Sequence, residues 1–511
     1  MKNIYLLIIS LLLIACTQSK ELVEEVVKIE PDELPEIKIT HQALQWTTKD
    51  IVDFYQTQDN NTLWNSKNKR GELLNELLSA QENGLNPQNY PITALFNYQM
   101  SYNQLSAEQR AQADILYTQT FLTFEKHLTE GRINPKKFYG DWEAFQKNIN
   151  YQELLISAIY DASITEITEQ VTPKNKFYRG LKEAYANYRK IIDKDTVRPI
   201  KSTEQSKIAY QLALLGDYTS DQKEISPEEY NNAIKHFQKR NNLSQTGKID
   251  QATLTKLNIP VKKLTEKILV NLERARWIPD ELGEKYVLVN IAEARLYLFD
   301  NEEIIDEHIV IVGKPERRTP ILSSQFSQLV INPTWTVPPT ILKNDLTPNA
   351  SKDSTYFTRN NMRIFDSSGS EVSVEDWNPE KAKNYRYVQQ PGASNSLGQI
   401  KFDFPNNHMV YLHDTNSKGL FTRTNRALSS GCVRVQNPFD LADKILQLEN
   451  DAKSKDDLLE LVAKEKTKFL PLKKQVSVHQ LYWTAWKDQN NQIQFREDPY
   501  DFDEGLFKKI N

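Results

Sequence analysis

Cys432 and His413 are the two residues of this sequence best suited to covalent chemistry. A thiol becomes a strong nucleophile when a neighbouring base takes its proton or when a nearby cation lowers its pKa. Ser430 and Gly431 precede Cys432 and permit a tight turn, in which the N–H groups of Gly431 and Cys432 can face an oxyanion. His413 follows a predicted strand over residues 409–412 and reaches the thiol if the chain turns back on itself. These residues alone are equally compatible with an unreactive pair.

The other cysteine, Cys16, ends a short apolar run near the N-terminus. Residues 4–15 are almost continuously apolar, but the run is shorter than the about 20 residues that a membrane-spanning helix needs. We therefore expect a signal peptide over residues 1–15. The Leu-Ile-Ala sequence before Cys16 resembles a bacterial lipobox, which implies lipidation of Cys16; an ordinary secretory signal with an incidental cysteine is the alternative. Residues 16–45, rich in Glu, Lys and Pro, are expected to be a solvated tether.

Composition excludes several classes of protein. The chain has 511 residues with 64 Lys and Arg against 68 Asp and Glu, a net charge of -4, and is too long for one hydrophobic core. The chain has no excess of positive charge, so its composition does not favour binding to nucleic acid. The histidines His236, His308, His408 and His479 are scattered without zinc-site spacing, and no phosphate-binding glycine loop is present, so we expect no metal or other cofactor.

Periodicity predicts an α+β multidomain protein. Apolar residues at helical spacing indicate a helical scaffold domain over residues 46–197, followed by a small helical module over 198–260 and a connecting helix within 261–283. The pattern then changes to a period of two, which predicts a mainly β domain over 284–511. Residues 339–390 interrupt its strands, and an insertion of this length is often a lid.

Several stretches resemble known families. The sequence AIKHFQKRNNLSQTGKIDQATLTKLN resembles the three-helix peptidoglycan-binding domain, although a packing module that has lost its ligand is also open. The His413-Asp414-Thr415 triplet and the run SSGCVRV at residues 429–435 resemble the catalytic motif of the YkuD-type L,D-transpeptidases. Asp414 and Ser430 stand where the more frequent form of that motif has Gly and His. The long YcbB-like branch shares this departure, and QQPGASNSLGQIKFDFPN and NPTWTVPPTIL resemble that branch too.

This resemblance implies roles for individual residues. Cys432 would be the nucleophile and His413 the general base, with the backbone carbonyl of Asp414 orienting the imidazole. Gly431 and Cys432 would form the oxyanion hole. The resemblance also suggests roles around this centre: Ser430 would shape the loop, Arg434 would bind a substrate carboxylate or hold the loop by an internal ion pair, and Tyr411 and Trp335 would line the substrate site or belong to the core.

The implied function is peptidoglycan L,D-transpeptidation. A cysteine thioester with the third residue of a stem peptide would be resolved by the amine of another stem, which gives a 3-3 cross-link. Hydrolysis of the same thioester by an L,D-carboxypeptidase or a wall-protein hydrolase, and a non-catalytic wall-binding scaffold, are the alternatives. The expected partners are peptidoglycan stem peptides and a membrane reached through the lipid. The expected place is the periplasm, at the outer rather than the inner membrane. Aromatic residues of the lid, Tyr356, Phe357, Trp377, Tyr385 and Tyr387, would hold substrate by stacking or would form a small core of their own.

Overall fold

A computed structural model describes residues 33–140, 142, 145, 147–218, 225–473 and 475–511. The predicted signal peptide, Cys16 and the first part of the predicted tether lie outside these residues. The described chain divides into two compact units. One contains the residues up to Glu130 together with Asn148–Thr172, and the other contains Gly131–Lys147 and Pro173–Asn511.

The first unit is a helical domain around one central helix. Its principal helices are Lys49–Thr57, Lys67–Ser79, Ile92–Ser101, Ala107–Glu130, Tyr151–Tyr160 and Ile164–Val171. Within it Asp114 is fully buried and accepts hydrogen bonds from the Tyr55 hydroxyl and from the backbone N–H groups of Leu63 and Trp64. Burial raises the pKa of Asp114 to about 7, against the opposing effect of these hydrogen bonds. The carboxylate thus holds a loop to the central helix.

The tether predicted over residues 16–45 is not solvated throughout. Ile39 and Leu44 are buried in the core of the helical unit, and the Ile39 N–H donates to the Asn60 carbonyl. The Arg110 guanidinium donates to the Pro35 carbonyl. Residues 33–45 therefore belong to the folded unit, because their apolar side chains are buried among its helices. The scaffold domain expected to reach residue 197 ends, as a compact unit, at Thr172.

The second unit begins with helices and contains the small module. Its helices before the sheet are Pro135–Tyr139, Lys176–Arg189, Gln205–Leu214, Pro227–Arg240, Gln251–Leu257 and Val261–Arg276. Within the module, Gln238 accepts from the Gly247 N–H and donates to the Lys248 carbonyl and to the Thr253 hydroxyl. These bonds fix the loop between the second and third module helices, as the predicted three-helix arrangement requires.

The β domain contains seventeen strands among the described residues. In chain order they are β1 (Lys285–Asn290), β2 (Arg295–Asp300), β3 (Glu303–Gly313), β4 (Leu322–Gln325), β5 (Gln328–Ile331), β6 (Trp335–Thr336), β7 (Met362–Phe365), β8 (Glu371–Val372), β9 (Arg386–Gln389), β10 (Ile400–Asp403), β11 (Leu412–His413), β12 (Ala427–Ser429), β13 (Val433–Val435), β14 (Lys468–Pro471), β15 (Ser477–Leu481), β16 (Ala485–Lys487) and β17 (Ile493–Phe495). The later helices are Pro438–Leu448, Lys455–Ala463 and Asp503–Ile510.

One large sheet carries the candidate site. Its strand order is β14-β5-β10-β11-β13-β3-β2-β1-β15-β4, with β12 pairing beside β3. One continuous core joins this sheet to the helix Val261–Arg276 and to the module, since Leu212, Phe237 and Ile268 are buried in the same cluster as Leu412 and Val433. The module and the sheet are therefore one packed body.

The insertion is a small folded subdomain. The subdomain contains a second sheet, with strand order β6-β9-β7-β8. It has a separate hydrophobic core, which includes Val337, Leu346, Phe357, Ile364 and Tyr387. Short helices at Pro339–Ile341, Leu342–Leu346, Thr347–Ala350 and Tyr356–Arg359 complete it. Because β6 begins at Trp335, the inserted structure starts before the predicted boundary at residue 339.

Candidate active site

Four of the predicted site residues share one face of the large sheet. Strand β11 pairs in parallel with β13, with Leu412 opposite Val433 and His413 opposite Arg434. Leu412 and Val433 are fully buried on one face. Because side chains alternate along a strand, His413 and Arg434 lie on the other face. Tyr411 and Cys432, each two residues earlier, continue this same face; Tyr411 and His413 make an edge-on ring contact at 5.7 Å.

Strand β11 is shorter than the strand predicted over residues 409–412. Met409 has a positive φ of 55° and is 70% exposed, so the chain turns there before it enters the sheet. The Val433 N–H nevertheless donates to the Tyr411 carbonyl at 3.1 Å, which places Tyr411 beside Cys432. The turn thus brings the residue before the strand against the thiol.

Tyr411 is the hydrogen-bonding partner of the half-buried Cys432 thiol. Burial raises the pKa of Cys432 to about 11, and the backbone and hydroxyl of Tyr411, followed by the Arg434 and Lys401 charges, oppose that rise. The Tyr411 hydroxyl also bonds to Trp335, and burial raises the pKa of Tyr411. The free site therefore holds a neutral thiol at neutral pH, with hydrogen-bond donors and cations around the sulfur that favour the thiolate.

His413 is buried between two cations on neighbouring strands. In the sheet it lies opposite Arg434 of β13 on one side and opposite Lys401 of β10 on the other. Burial lowers the pKa of His413 to about 3, and the charges of Arg434 and, more weakly, Lys401 act in the same direction. Hydrogen bonds to the backbone carbonyls of Asp414 and Leu397 oppose this shift by raising the pKa. The imidazole is neutral in the free site, and no hydrogen bond of the described residues joins it to Cys432. Its Nδ1 has no well-formed partner.

Arg434 forms no ion pair in the described part of the chain, so the internal ion pair that the sequence left open is not observed. Its side chain is half-buried, and its Nε is buried without a hydrogen-bond partner. Burial lowers the pKa of Arg434, and the Cys432 sulfur opposes this. The guanidinium is a cation beside the thiol with donors to spare, which is the chemistry that recognises a carboxylate.

The loop before Cys432 is held in a fixed turn. The Ser429 hydroxyl donates to the Cys432 carbonyl at 2.6 Å and accepts from the Gly431 N–H at 3.2 Å. The Thr319 hydroxyl donates to the Gly431 carbonyl at 2.8 Å and accepts from the Gly313 N–H. Gly431 has a φ of 118°, which favours glycine. Of the two donors predicted for the oxyanion hole, the Gly431 N–H is thus engaged by Ser429 in this state.

Asp414 contributes its side chain as well as its carbonyl. Its carboxylate accepts from the Gln399 N–H at 3.0 Å, and its N–H donates to the Ile400 carbonyl. Gly398 packs so closely that an added Cβ would lie 2.3 Å from the carboxylate. The sequence interpretation gave the Asp414 side chain no part in orienting His413. It instead holds the turn that brings the Leu397 carbonyl to the imidazole.

The inserted subdomain meets the nucleophile loop through Arg317. The guanidinium donates to the Ser430 hydroxyl at 2.9 Å and to the Asp345 carboxylate of the insertion at 2.5 Å. Ser430 is exposed, so its role of shaping the loop is exercised through this contact. Trp335 bonds to Tyr411 from the first strand of the insertion, and this gives the insertion a second contact with the site.

The lid aromatics form a core. Phe357 and Tyr387 are 1% exposed and stack at 5.8 Å, and Trp377 packs edge-on against Phe357 and donates to the Tyr387 hydroxyl. Tyr356 and Tyr385 pack against the same cluster. Of the two roles that the sequence left open, Phe357 and Tyr387 have the core role, because their ring faces are already covered.

Several residues of the site were not predicted from the sequence. Lys401, Leu397, Thr319 and Arg317 lie outside the two motifs, and only the pairing of strands that are distant in sequence brings them to the thiol and imidazole. Ser429 lies within the motif and carried a signal, since a hydroxyl at that position can bond both ends of a tight turn.

Among the described residues, no group of three or more His, Cys, Asp or Glu side chains is placed to hold a metal ion. In the same part of the chain no helix has both the length and the apolar character needed to span a bilayer.

Comparison with known proteins assigns the β domain. Residues 284–467 match the L,D-transpeptidase catalytic domain family YkuD. The chain carries a YkuD-type L,D-transpeptidase domain. Residues 206–257 match the family described as "Putative peptidoglycan binding domain", and residues 49–184 match a scaffold domain family. These matches confirm the resemblance and the α+β multidomain fold class that the sequence predicted.

Individual proteins are similar to parts of this chain. Over 250 residues the chain is 36% identical to a Haemophilus influenzae protein named "Putative L,D-transpeptidase", covering 48% of this chain and 50% of that protein. The chain thus spans about half the length of this curated relative. An L,D-transpeptidase from Mycobacterium smegmatis covers 39% of this chain and 59% of its own, with 12% identity and a TM-score of 0.19. The Ldtfm-avibactam carbamoyl enzyme covers 59% and 98%, with 11% identity and a TM-score of 0.20.

Proposed function

We propose that this protein is a peptidoglycan L,D-transpeptidase that forms 3-3 cross-links between stem peptides through a thioester on Cys432. The observation that carries the proposal is the shared sheet face of Cys432, His413 and Arg434 within a YkuD domain. A nucleophile, a neutral base and a cation suited to a peptide carboxylate are the groups that acyl transfer from a peptide needs. The peptidoglycan-binding match supports the same substrate class.

In the first half of the reaction, the Cys432 sulfur attacks the carbonyl carbon of the third stem residue. The Tyr411 hydroxyl donates to the sulfur while the thiol proton passes to His413, whose imidazole is neutral and lies two residues beyond Tyr411 on the same face. His413 then protonates the departing amine, so that the terminal D-alanine leaves and the thioester remains. The Arg434 and Lys401 charges stabilise the sulfur as it loses its proton.

In the second half, the side-chain amine of another stem attacks the thioester. The new amide bond forms, the amine proton passes to His413, and the proton returns to the Cys432 sulfur as the thiol is released. Water in place of the amine gives an L,D-carboxypeptidase. The oxyanion in both halves is assigned to the Cys432 N–H and to the Gly431 N–H once that donor leaves Ser429.

The test uses the mature protein and tetrapeptide-rich sacculi. We expect 3-3 linked dimers and free D-alanine in the digest, detected by mass spectrometry, and neither product with Cys432→Ala. The Ser202→Ala variant is the matched control, since it removes an exposed hydroxyl outside the active site and keeps the thiol. D-alanine without dimers would assign the hydrolase, and wild-type product from Cys432→Ala would refute a thioester mechanism.

We also propose that Cys16 carries lipid and anchors the protein to a membrane facing the periplasm, with the outer membrane favoured. The proposal rests on the short apolar run and the lipobox-like residues before Cys16. In a Gram-negative host, Cys16→Ala should abolish incorporation of labelled fatty acid and release the protein from the membrane fraction. Retained label in this variant would refute lipidation at Cys16.

A further inference from the structure

A large cleft lies away from Cys432 in the second unit. Its volume is about 880 Å³, and the helix Lys176–Arg189, the module, strands β1 to β3 and the hairpin of β16 and β17 contribute its walls. This size is within the range of cavities that hold small ligands, roughly 300–1,000 Å³. The mechanism above does not use it.

The walls of the cleft are fixed rather than loose. On the hairpin side, Asp488 accepts from the Asn490 and Gln492 N–H groups and from the Gln494 amide, which holds the turn. Arg496, paired with the buried Glu293, donates to the Arg240 carbonyl of the module at 2.9 Å. The module, hairpin and sheet are therefore bonded to one another around the cleft, and a ligand would meet a preformed site.

The chemistry of the lining suits a neutral, polar ligand with apolar faces. Acidic and basic side chains line the cleft in equal number, six of each, so neither an anion nor a cation is favoured overall. The half-buried ring of Tyr297 lies among side-chain amides, whereas the other aromatic side chains of the lining, Phe177, Phe299, Trp483 and Trp486, are buried. Sugars combine hydroxyl and amide groups with apolar C–H faces, so they match this combination.

Polar groups at the rim are available to such a ligand. Arg179, Gln245 and Gln489 are exposed on three different walls. In the described part of the chain, their side chains form no hydrogen bond or ion pair. A ligand that bridges the rim gains these donors and acceptors without breaking bonds within the protein.

The cleft and the thiol lie on one face of the large sheet. Arg434 pairs with Ile311 of β3, and in the same strand Glu307 pairs with Tyr297 of β2, which pairs with Leu288 of β1. Paired residues and residues two apart point to the same side. Glu307, Tyr297 and Leu288 line the cleft, so its floor continues the face that carries Cys432. Strand spacing and rise place Tyr297 about 16 Å from Arg434.

We infer that this cleft binds the glycan of the wall polymer, so that the sugar chain lies in the cleft while one of its stem peptides reaches Cys432. The inference rests on the proposed function, and it adds a second substrate class, an amino-sugar chain, to the peptide already assigned to the thiol. The peptidoglycan-binding match to the module, which supplies one wall, supports the same ligand.

The test compares two donors, a free stem tetrapeptide and the same tetrapeptide linked to its disaccharide or to a longer glycan chain. Acylation of Cys432 is followed by mass spectrometry in the mature protein. We expect the glycan-linked donor to have a KM at least about tenfold lower. The double variant Gln245→Ala/Gln489→Ala should reduce this ratio of KM values severalfold. The matched control Gln56→Ala/Gln104→Ala removes two exposed glutamines of the helical unit and should keep the wild-type ratio.

The outcomes separate the two proposals. Absence of acylation by either donor would refute the proposed function. Acylation with equal KM values for the two donors would overturn the glycan cleft and leave the proposed function intact. A ratio that the cleft variant and its control reduce equally, or that the cleft variant leaves at the wild-type value, would also overturn the cleft. Direct binding of peptide-free glycan chains, lost selectively in the cleft variant, would support it.

Discussion

Tyr411 lies beside Cys432 across the parallel pairing of β11 and β13, and its backbone and hydroxyl both hydrogen-bond to the thiol. The interpretation from sequence left open whether Tyr411 lines the substrate site or belongs to the core. The structure gives it a contact with the nucleophile itself. Since the hydroxyl favours the thiolate, Tyr411 lowers the cost of ionising a sulfur whose burial raises that cost.

The first prediction concerns the pH dependence of Cys432 alkylation. A raised thiol pKa, about 11, means that the reactive thiolate is scarce at pH 7 and increases as pH rises toward that value. Iodoacetamide should therefore react slowly at pH 7 and progressively faster up to the limit of stability. Tyr411→Phe should move the profile to higher pH and slow acylation at neutral pH roughly 2- to 10-fold. Tyr160→Phe, at an exposed site, is the control; a plateau below pH 8 would contradict the assignment.

The second prediction concerns Arg434, whose charge acts on both titrating partners. The charge lowers the pKa of His413 and that of Cys432. Arg434→Gln should therefore raise both pKa values, making His413 easier to protonate and Cys432 harder to ionise. NMR titration of His413 and the alkylation profile of Cys432 measure the two effects. A change in only one of them would show that the guanidinium does not lie between the two groups.

The third prediction concerns the close contact between Gly398 and Asp414. An alanine at 398 would have a positive φ of 63° and would meet the Asp414 carboxylate, so Gly398→Ala should destabilise the fold by about 2–4 kcal/mol. It should also reduce acylation, because the turn that presents the Leu397 carbonyl to His413 is displaced. Gly419→Ala has open space around its Cβ and should change neither property much. Thermal unfolding and acylation rate are the measurements.

The fourth prediction concerns the bridge from Ser430 through Arg317 to Asp345. Arg317→Ala should loosen the insertion from the nucleophile loop and expose the thioester to water, which raises the ratio of D-alanine released to cross-link formed. Arg359→Ala removes an ion pair with Asp353 that lies within the insertion, so it controls for loss of any arginine there. Mass spectrometry of one digest gives both products. An equal ratio in the two variants would remove the bridge from the mechanism.

The sequence predicted the parts of this molecule that local pattern determines. The connecting helix ends at Arg276, within the predicted residues 261–283, and β1 and β2 form an antiparallel pair where the period-two pattern predicts a β domain, because apolar spacing reports directly on such elements. The motif residues around Cys432 were also found. Lys401 could not be, since it is brought to His413 only by the pairing of β10 with β11. The folded character of residues 33–45 was missed because two buried apolar side chains in a charged segment give little periodic signal.

The continuous core that joins the module to the sheet has a consequence for which stem peptides along the wall polymer would react. A binding module on a flexible linker would allow reaction at any stem peptide within the length of the linker. Here Phe237 of the module and Leu412 beside the site are buried in one cluster, so a polymer held by the module is held at a set interval from the sulfur. If the protein acts as proposed, this rigid connection sets the distance along the polymer between the sugar that is bound and the stem peptide that reacts.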